Sequence, residues 1–141
     1  MRVKEESQEI QWRVNGYEYP PGWGAGMPYD TDWLETEIIM VDGADSRVVE
    51  ENLLRFSELE NVYDNLIRIL EGEQSDFNGS FTDQRLYFRA SIVEDRDIFV
   101  SMGFEDEEGE FLVKEPMTSE AFYGFVKSVE DILVANYRPK L

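Results

Sequence analysis

The sequence predicts an α+β fold, a mostly antiparallel sheet of six to seven strands with two amphipathic helices packed on one face. Several short segments alternate apolar and polar residues with a period of two, which is typical of half-buried strands. Short polar turns join these segments, and such turns connect antiparallel neighbours, because parallel neighbours need long crossovers. Two longer segments have helical spacing. Two helices cannot cover both faces of such a sheet, so we expect the other face to be partly open.

The first half of the chain predicts three strands and a long loop. Residues 8–14 form the first strand, and residues 15–31, rich in Gly, Pro and aromatic side chains, form the loop. Residues 33–41, "WLETEIIMV", form the second strand, and residues 47–54 pair back on it as the third. In the second strand one face is predicted to be buried, with Leu34, Thr36, Ile38 and Met40.

A helix is predicted at 58–71. The segment "SELE" reads as a capping box, with Ser57 as N-cap and Glu60 three residues later, and Gly72 is well placed to end the helix. The apolar stripe of this helix consists of Leu59, Val62, Tyr63, Leu66, Ile69 and Leu70.

The second half of the chain predicts four more strands and a C-terminal helix. The strands are expected at 76–81, 85–93, 98–104 and 111–115. The segments "EDRD" at 94–97 and "EDEEGE" at 105–110 are predicted hairpin turns. Thr118 or Ser119 caps the last helix. Its apolar stripe consists of Phe122, Phe125, Val126, Val129, Ile132 and Leu133.

Composition narrows the class of protein. The 141 residues fit a single domain, 1–141, with enough apolar side chains for a core. The net charge of −18 argues against nucleic acid as a direct ligand, because phosphates would be repelled. The chain has no Cys, its N-terminus lacks the apolar core of a signal peptide, and no run is long enough to span a membrane. We therefore expect a soluble, bacterial-type cytoplasmic protein.

The inventory of catalytic residues is short. The chain has neither His nor Cys, which excludes Ser–His and Cys–His machinery. The glycine-rich segment "GWGAGM" at 22–27 is not followed by a helical pattern, so it lacks the amides that a phosphate site requires. We expect no enzymatic activity and no cofactor.

Carboxylates are the remaining chemical groups. Asp30, Asp32 and Glu35 could ligate a hard cation such as Ca²⁺, or a carboxylate pair could act as acid and base in a glycosidase. Their spacing does not match an EF-hand loop, and with 31 acidic residues close pairs arise by chance. We therefore predict no metal site. The acidic run 105–110 is either a solvated turn or a docking point for a basic partner.

The distribution of charge is more informative than its total. Between Arg13 and Arg47 there is no basic residue but seven acidic ones, and from Asp97 to Val113 there is again none, with six acidic residues. Elsewhere the signs are mixed. Arg85 and Arg89 could pair across the sheet with glutamates of residues 33–41, which would make those glutamates structural.

Aromatic side chains accompany one acidic face. Trp33 shares the outward face of its strand with Glu35 and Glu37, and alternation makes Tyr87 and Phe99 its expected neighbours. Aromatic anchors beside carboxylates suit a protein interface, since the rings supply buried area and the acids steer a basic partner. Alternatively, the apolar side chains of the 15–31 loop fold over these residues. The sequence leaves both alternatives open.

The order of these motifs resembles the WapI-like immunity proteins. The approach "YDTDWLETEI", the capped helix "SELENVYDNLIRILEGEQSDF" and the closing "LVKEPMTSEAFYGFVKSVEDIL" carry the resemblance over roughly residues 29–136. The residues of its local signatures are Tyr29, Asp30, Trp33 and Leu34 at the start of the strand, and Leu70, Gly72 and Glu73 at the end of the helix.

The resemblance implies a cytoplasmic antidote to a contact-dependent or polymorphic bacterial toxin, often a nuclease. Nuclease sites are basic in order to hold phosphates, so an acidic inhibitor would associate quickly with such a toxin domain. The alternative is an acidic binding or regulatory module without a toxin partner, and the oligomeric state stays open. The residues predicted to contact the partner are Asp30, Asp32, Trp33, Glu35, Glu37, Tyr87, Glu105, Asp106, Glu107 and Glu108.

Overall fold

A computed structural model describes residues 1–19, 32–93 and 97–138 of the chain. In this part the order of elements is four strands, a helix, four strands and a helix. The strands are β1 (Arg2–Glu5), β2 (Gln8–Tyr17), β3 (Trp33–Asp42), β4 (Asp45–Arg55), β5 (Asp76–Asn78), β6 (Leu86–Val93), β7 (Asp97–Asp106) and β8 (Gly109–Met117). The helices are α1 (Phe56–Leu70) and α2 (Ser119–Ala135).

The strands form two four-stranded antiparallel sheets, β1-β2-β3-β4 and β5-β6-β7-β8. The α+β class and the antiparallel pairing are therefore confirmed, whereas the single sheet of six to seven strands is wrong. Alternation predicts which face of a strand is buried, but another sheet can cover that face as well as a helix can. Strand β1 was missed because its four residues contain a single apolar side chain, Val3.

The inner faces of the two sheets meet in one core. Trp12 of β2 is fully buried, and its ring lies 6.3 Å from the ring of Phe88 in β6. The predicted burial of Leu34, Thr36, Ile38 and Met40 is confirmed, and Leu86, Phe88 and Ala90 of β6 are buried as well. In β4 the register shifts beside Leu53, so that two consecutive leucines, Leu53 and Leu54, are both buried.

Helix α1 ends as predicted but begins differently. Gly72, with a φ of +77°, donates its N–H to the Ile69 carbonyl, and Glu73 donates to the Arg68 carbonyl, a Schellman ending that the missing Cβ of glycine permits. The N-cap is Arg55, not Ser57. Its backbone N–H donates to Glu58 Oε1 over 2.9 Å, because the chain enters the helix two residues earlier than the "SELE" motif indicated.

Helix α2 begins where the sequence predicted. The Thr118 hydroxyl accepts a hydrogen bond from the Ala121 N–H at 3.1 Å. Phe125 of α2 stacks on Phe88 of β6, with ring centroids 6.1 Å apart, and the Tyr63 hydroxyl of α1 donates to Glu130 of α2. The two helices therefore pack against each other and beside the core, and outer-face side chains of both sheets, such as Glu35 and Tyr87, are exposed.

Two predicted segments fall partly or wholly outside the described residues. Strand β2 runs to Tyr17, so the irregular segment begins later than residue 15. The rest of the predicted loop, residues 20–31, and most of the "EDRD" turn, residues 94–96, lie outside the described part. Within that part, neither helix is long and apolar enough to cross a membrane.

Candidate partner-binding surfaces

Asp32, one of the predicted contact residues, is tied into the start of α1. Its carboxylate accepts hydrogen bonds from Arg55 Nε at 2.7 Å and from the Ser57 N–H at 3.1 Å, and its carbonyl accepts from the Phe56 N–H. Partial burial raises the pKa of Asp32, but the bonds from Ser57 and Arg55 outweigh it and lower the pKa below its usual value. Asp32 thus supplies the acceptor that the sequence had assigned to Ser57.

Trp33 follows at the beginning of β3 and is half-buried. The guanidinium carbon of Arg55 lies 5.6 Å from the centroid of the indole, within the range of a cation–π contact. The same arginine therefore holds both Asp32 and Trp33 in place. This gives Trp33 a role in the fold at the junction of β3 and α1.

Glu35 and Glu37 lie on the outer face of the first sheet. Glu50 of β4 lies directly opposite Glu37 in the register, and Asn15 donates a hydrogen bond to Glu37 Oε1 at 2.6 Å. Arg13 of β2 is opposite Glu37 on the other side, yet no ion pair is recorded for Arg13 within the described ranges. These acids surround an open depression of about 370 Å³ whose lining residues are Asn15, Glu35, Thr36, Glu37, Glu50, Glu51 and Asn52. We call it the acidic depression.

The predicted pairing of Arg85 and Arg89 with Glu35 or Glu37 is wrong. Arg85 instead makes two 3.0 Å contacts with the carboxylate of Glu51 and pairs with Asp83, and Arg89 pairs with Asp76. The prediction placed all these residues in one sheet, whereas Arg85 precedes β6 in the second sheet. Glu35 makes no hydrogen bond or ion pair through its side chain in the described part of the chain.

The acidic hairpin between β7 and β8 is divided between two environments. Asp106 and Glu108 both pair with Arg47 of β4, with Arg47 Nη1 3.1 Å from Asp106 Oδ1 and Arg47 Nε 2.6 Å from Glu108 Oε2. The hydrogen bonds from Arg47 lower the pKa of Asp106. These two acids therefore join the two sheets. Glu105 and Glu107 are exposed.

Tyr87 lies on the outer face of β6, in the second sheet. The expectation that it continues the face of Trp33, Glu35 and Glu37 is wrong, because those residues belong to the first sheet. Tyr87 borders a depression of about 230 Å³ that is separate from the acidic depression. The lining residues are Gln84, Arg85, Leu86, Tyr87, Gly103, Phe104, Glu105, Glu110 and Leu112.

The remaining predicted residue, Asp30, lies outside the described residues. In the ranges that the structure does describe, no group of three or more acidic side chains is arranged to hold a metal ion. The sequence did not identify Glu50, Glu110 and Leu112 as candidate site residues, although they line the two depressions. Alternation within their own strands could have placed each on an outer face, but only the register shows which residue lies opposite.

The fold and these surfaces define an acidic α+β protein whose surface depressions include the two described above, both lined in part by carboxylates. The chain belongs to the Immunity protein WapI-like family, whose model matches residues 2–135. Membership indicates an immunity role, in which the protein neutralises a toxin, and favours a non-enzymatic one.

Three solved plant structures resemble the fold at low identity. WHY3 from Arabidopsis thaliana is 12% identical, with a TM-score of 0.47, over 94% of this chain and 85% of that one. The plant transcriptional regulator PBF-2 is 11% identical, with a TM-score of 0.48, over 94% and 79%. WHY1 from Arabidopsis thaliana is 11% identical, with a TM-score of 0.48, over 94% and 87%. No curated protein matches the sequence significantly.

Proposed function

We propose that this protein neutralises a cognate toxin domain in the cytoplasm by binding it stoichiometrically, and that the toxin surface it covers is basic, as in a nuclease. Family membership supports the immunity role. The observation that carries the mode of binding is the acidic depression, where Glu35, Glu37 and Glu50 face outward. Among the described residues these acids make no recorded ion pair, although Arg13 lies opposite Glu37.

The arrangement of Glu37 and Glu50 favours a cationic partner. Like charges directly opposite each other on adjacent strands destabilise a sheet, by up to about 1 kcal/mol. Glu35 lies two positions from Glu37 on the same face and adds to the negative potential. A lysine or arginine of the toxin would relieve this repulsion. Part of the binding free energy would then come from removing a repulsion that is already present in the unbound protein.

The charge of the whole molecule supports the same proposal. A net charge of −18 accelerates association with a basic protein, and this steering weakens as salt is added. A nuclease domain concentrates positive charge where it holds phosphates. An acidic inhibitor seated there blocks the substrate without any chemistry of its own.

The test uses a candidate toxin domain from a reading frame next to this protein's own gene, purified in inactive form, and titration calorimetry. The wild type should bind it 1:1, and the triple variant Glu35→Gln, Glu37→Gln, Glu50→Gln should bind at least about tenfold more weakly, a loss of roughly 1.4 kcal/mol. The matched control removes the same number of negative charges from exposed positions on the helices, with Glu60→Gln, Asp64→Asn and Asp131→Asn.

Three outcomes are informative. Stronger weakening by the sheet variant than by the helix control supports the acidic depression as the contact. Equal weakening would show that only the total charge matters, and the depression would be rejected. Absence of any binding by the wild type would reject the toxin partner and favour a regulatory module.

A further inference from the structure

We propose that the depression beside Tyr87 is the anchor point of the toxin interface and receives one arginine side chain of the toxin. This inference rests on the proposed function. It assigns a second contact, on the other sheet from the acidic depression, and it names the partner group. We call this depression the tyrosine notch.

The floor of the tyrosine notch is formed by a missing side chain. Tyr87, Gly103 and Leu112 lie opposite one another on β6, β7 and β8. A Cβ built on Gly103 would stand 3.0 Å from Leu112 Cδ1 and 3.0 Å from the Phe111 carbonyl oxygen, so the Leu112 side chain lies close over this glycine and a larger residue there would require its neighbours to shift. Tyr87 and Leu112 rise on either side and remain 42% and 44% exposed. An aromatic and an aliphatic wall thus face solvent across a glycine.

The carboxylates at one end of the tyrosine notch have no ion-pair partner among the residues that the structure describes. Glu105 and Glu110 lie directly opposite each other on β7 and β8, both are exposed, and neither is recorded in an ion pair within the described ranges. Arg85 also lines the notch, but its guanidinium is held by Asp83 and Glu51. The notch therefore keeps a local negative charge of two next to an aromatic ring.

These features together match an arginine. Its planar guanidinium can donate to two carboxylates, stack on the face of a tyrosine and lay its methylene stem along a leucine. The notch, at about 230 Å³, lies below the roughly 300–1,000 Å³ of ordinary small-molecule pockets and suits one side chain. A second copy of this chain that met the notch with the same face is a poor occupant, because it would bring the same two glutamates against Glu105 and Glu110.

The aromatic wall is tested first, with the inactive toxin domain as probe. Tyr87→Ala should weaken binding about 10- to 30-fold, as expected for an aromatic anchor. The matched control is Tyr123→Ala, since Tyr123 is an exposed tyrosine of α2 (55%) that lines neither depression. It should change affinity by less than threefold. Leu112→Ala provides a second variant of the notch in case Tyr87→Ala lowers stability, which urea unfolding will show.

The charged end is tested separately. The pair Glu105→Gln, Glu110→Gln should weaken binding and reduce its dependence on salt more than the pair Glu107→Gln, Glu71→Gln, which removes the same charge from exposed positions outside the notch. Equal effects from both pairs would overturn the assignment of the arginine.

The outcomes separate this inference from the function beneath it. If the wild type binds no toxin, the proposed function and the notch fail together. If the wild type binds but the notch variants behave like their controls, only the notch is rejected. A free protein that sediments as a dimer and becomes monomeric with Tyr87→Ala would identify a second copy as the occupant and overturn the proposal.

Discussion

Two stretches of the chain contain acidic residues but no basic ones, and the acidic side chains of the two stretches have different surroundings in the fold. In the first, residues 32–45, Asp32 caps α1 while Glu35 and Glu37 face outward beside Glu50. In the second, residues 97–113, Asp106 and Glu108 of the β7–β8 hairpin form ion pairs with Arg47 of the other sheet. The remaining acids of that hairpin face solvent.

The difference shows that local charge density does not identify a binding surface. An acid is structural where a donor from a distant part of the chain is fixed beside it, as Arg55 is for Asp32 and Arg47 is for Asp106. An acid without such a donor, like Glu35, contributes potential to the surface. Three sets of variants distinguish these two kinds of acidic residue.

The largest effect on stability is expected for Asp32→Ala. Loss of the acceptor for the Ser57 N–H and Arg55 should lower the free energy of unfolding by about 1–2 kcal/mol, as for loss of a helix cap. Urea unfolding measures this. Glu35→Gln is the control from the same stretch and should stay within about 0.5 kcal/mol of the wild type.

The pH dependence of that difference provides a check. Because the pKa of Asp32 is lower in the folded protein than in the unfolded chain, its stabilisation is fully present above the unfolded value of about 3.9 and is lost as the pH falls through the folded pKa. The gap between wild type and Asp32→Ala should therefore close at low pH. A gap that persists there would mean that Asp32 acts through packing and not through its charge.

A smaller loss is expected from breaking the link between the sheets. Arg47→Met should lower the urea midpoint more than Asp106→Asn does, because Arg47 also pairs with Glu108. The double variant should be little worse than Arg47→Met alone, because that change already removes the contact with Asp106. Additive losses would show that the two side chains are not coupled. In that case Asp106 would return to the group of acids available to a partner.

The smallest effect is expected for Glu50→Gln, and its sign is opposite. Removing the charge facing Glu37 should stabilise the unbound protein by a few tenths of a kcal/mol while it weakens toxin binding. Thermal unfolding and calorimetry on the same sample measure both quantities. A variant that loses stability would show that Glu50 has a structural contact, contrary to the proposal.

Much of the fold could be predicted from the sequence. Strands β3, β4, β6, β7 and β8 lie where alternation indicated, and Thr118 and Gly72 mark their helix ends as expected. The division into two sheets could not be predicted, because a buried strand face has the same pattern whether a helix or a sheet covers it. Tyr87 was assigned to the wrong sheet for that reason.

The sequence by itself determined the acidic charge, the lack of His and Cys, the α+β class and the order of motifs that marks the family. Only the tertiary structure decided that Asp32 and Asp106 are held by arginines, that Glu37 faces Glu50, and that Glu105 and Glu110 meet beside Tyr87. The reason is physical: periodicity and propensity act over neighbouring residues, whereas each of these contacts depends on strand register or on packing between distant segments.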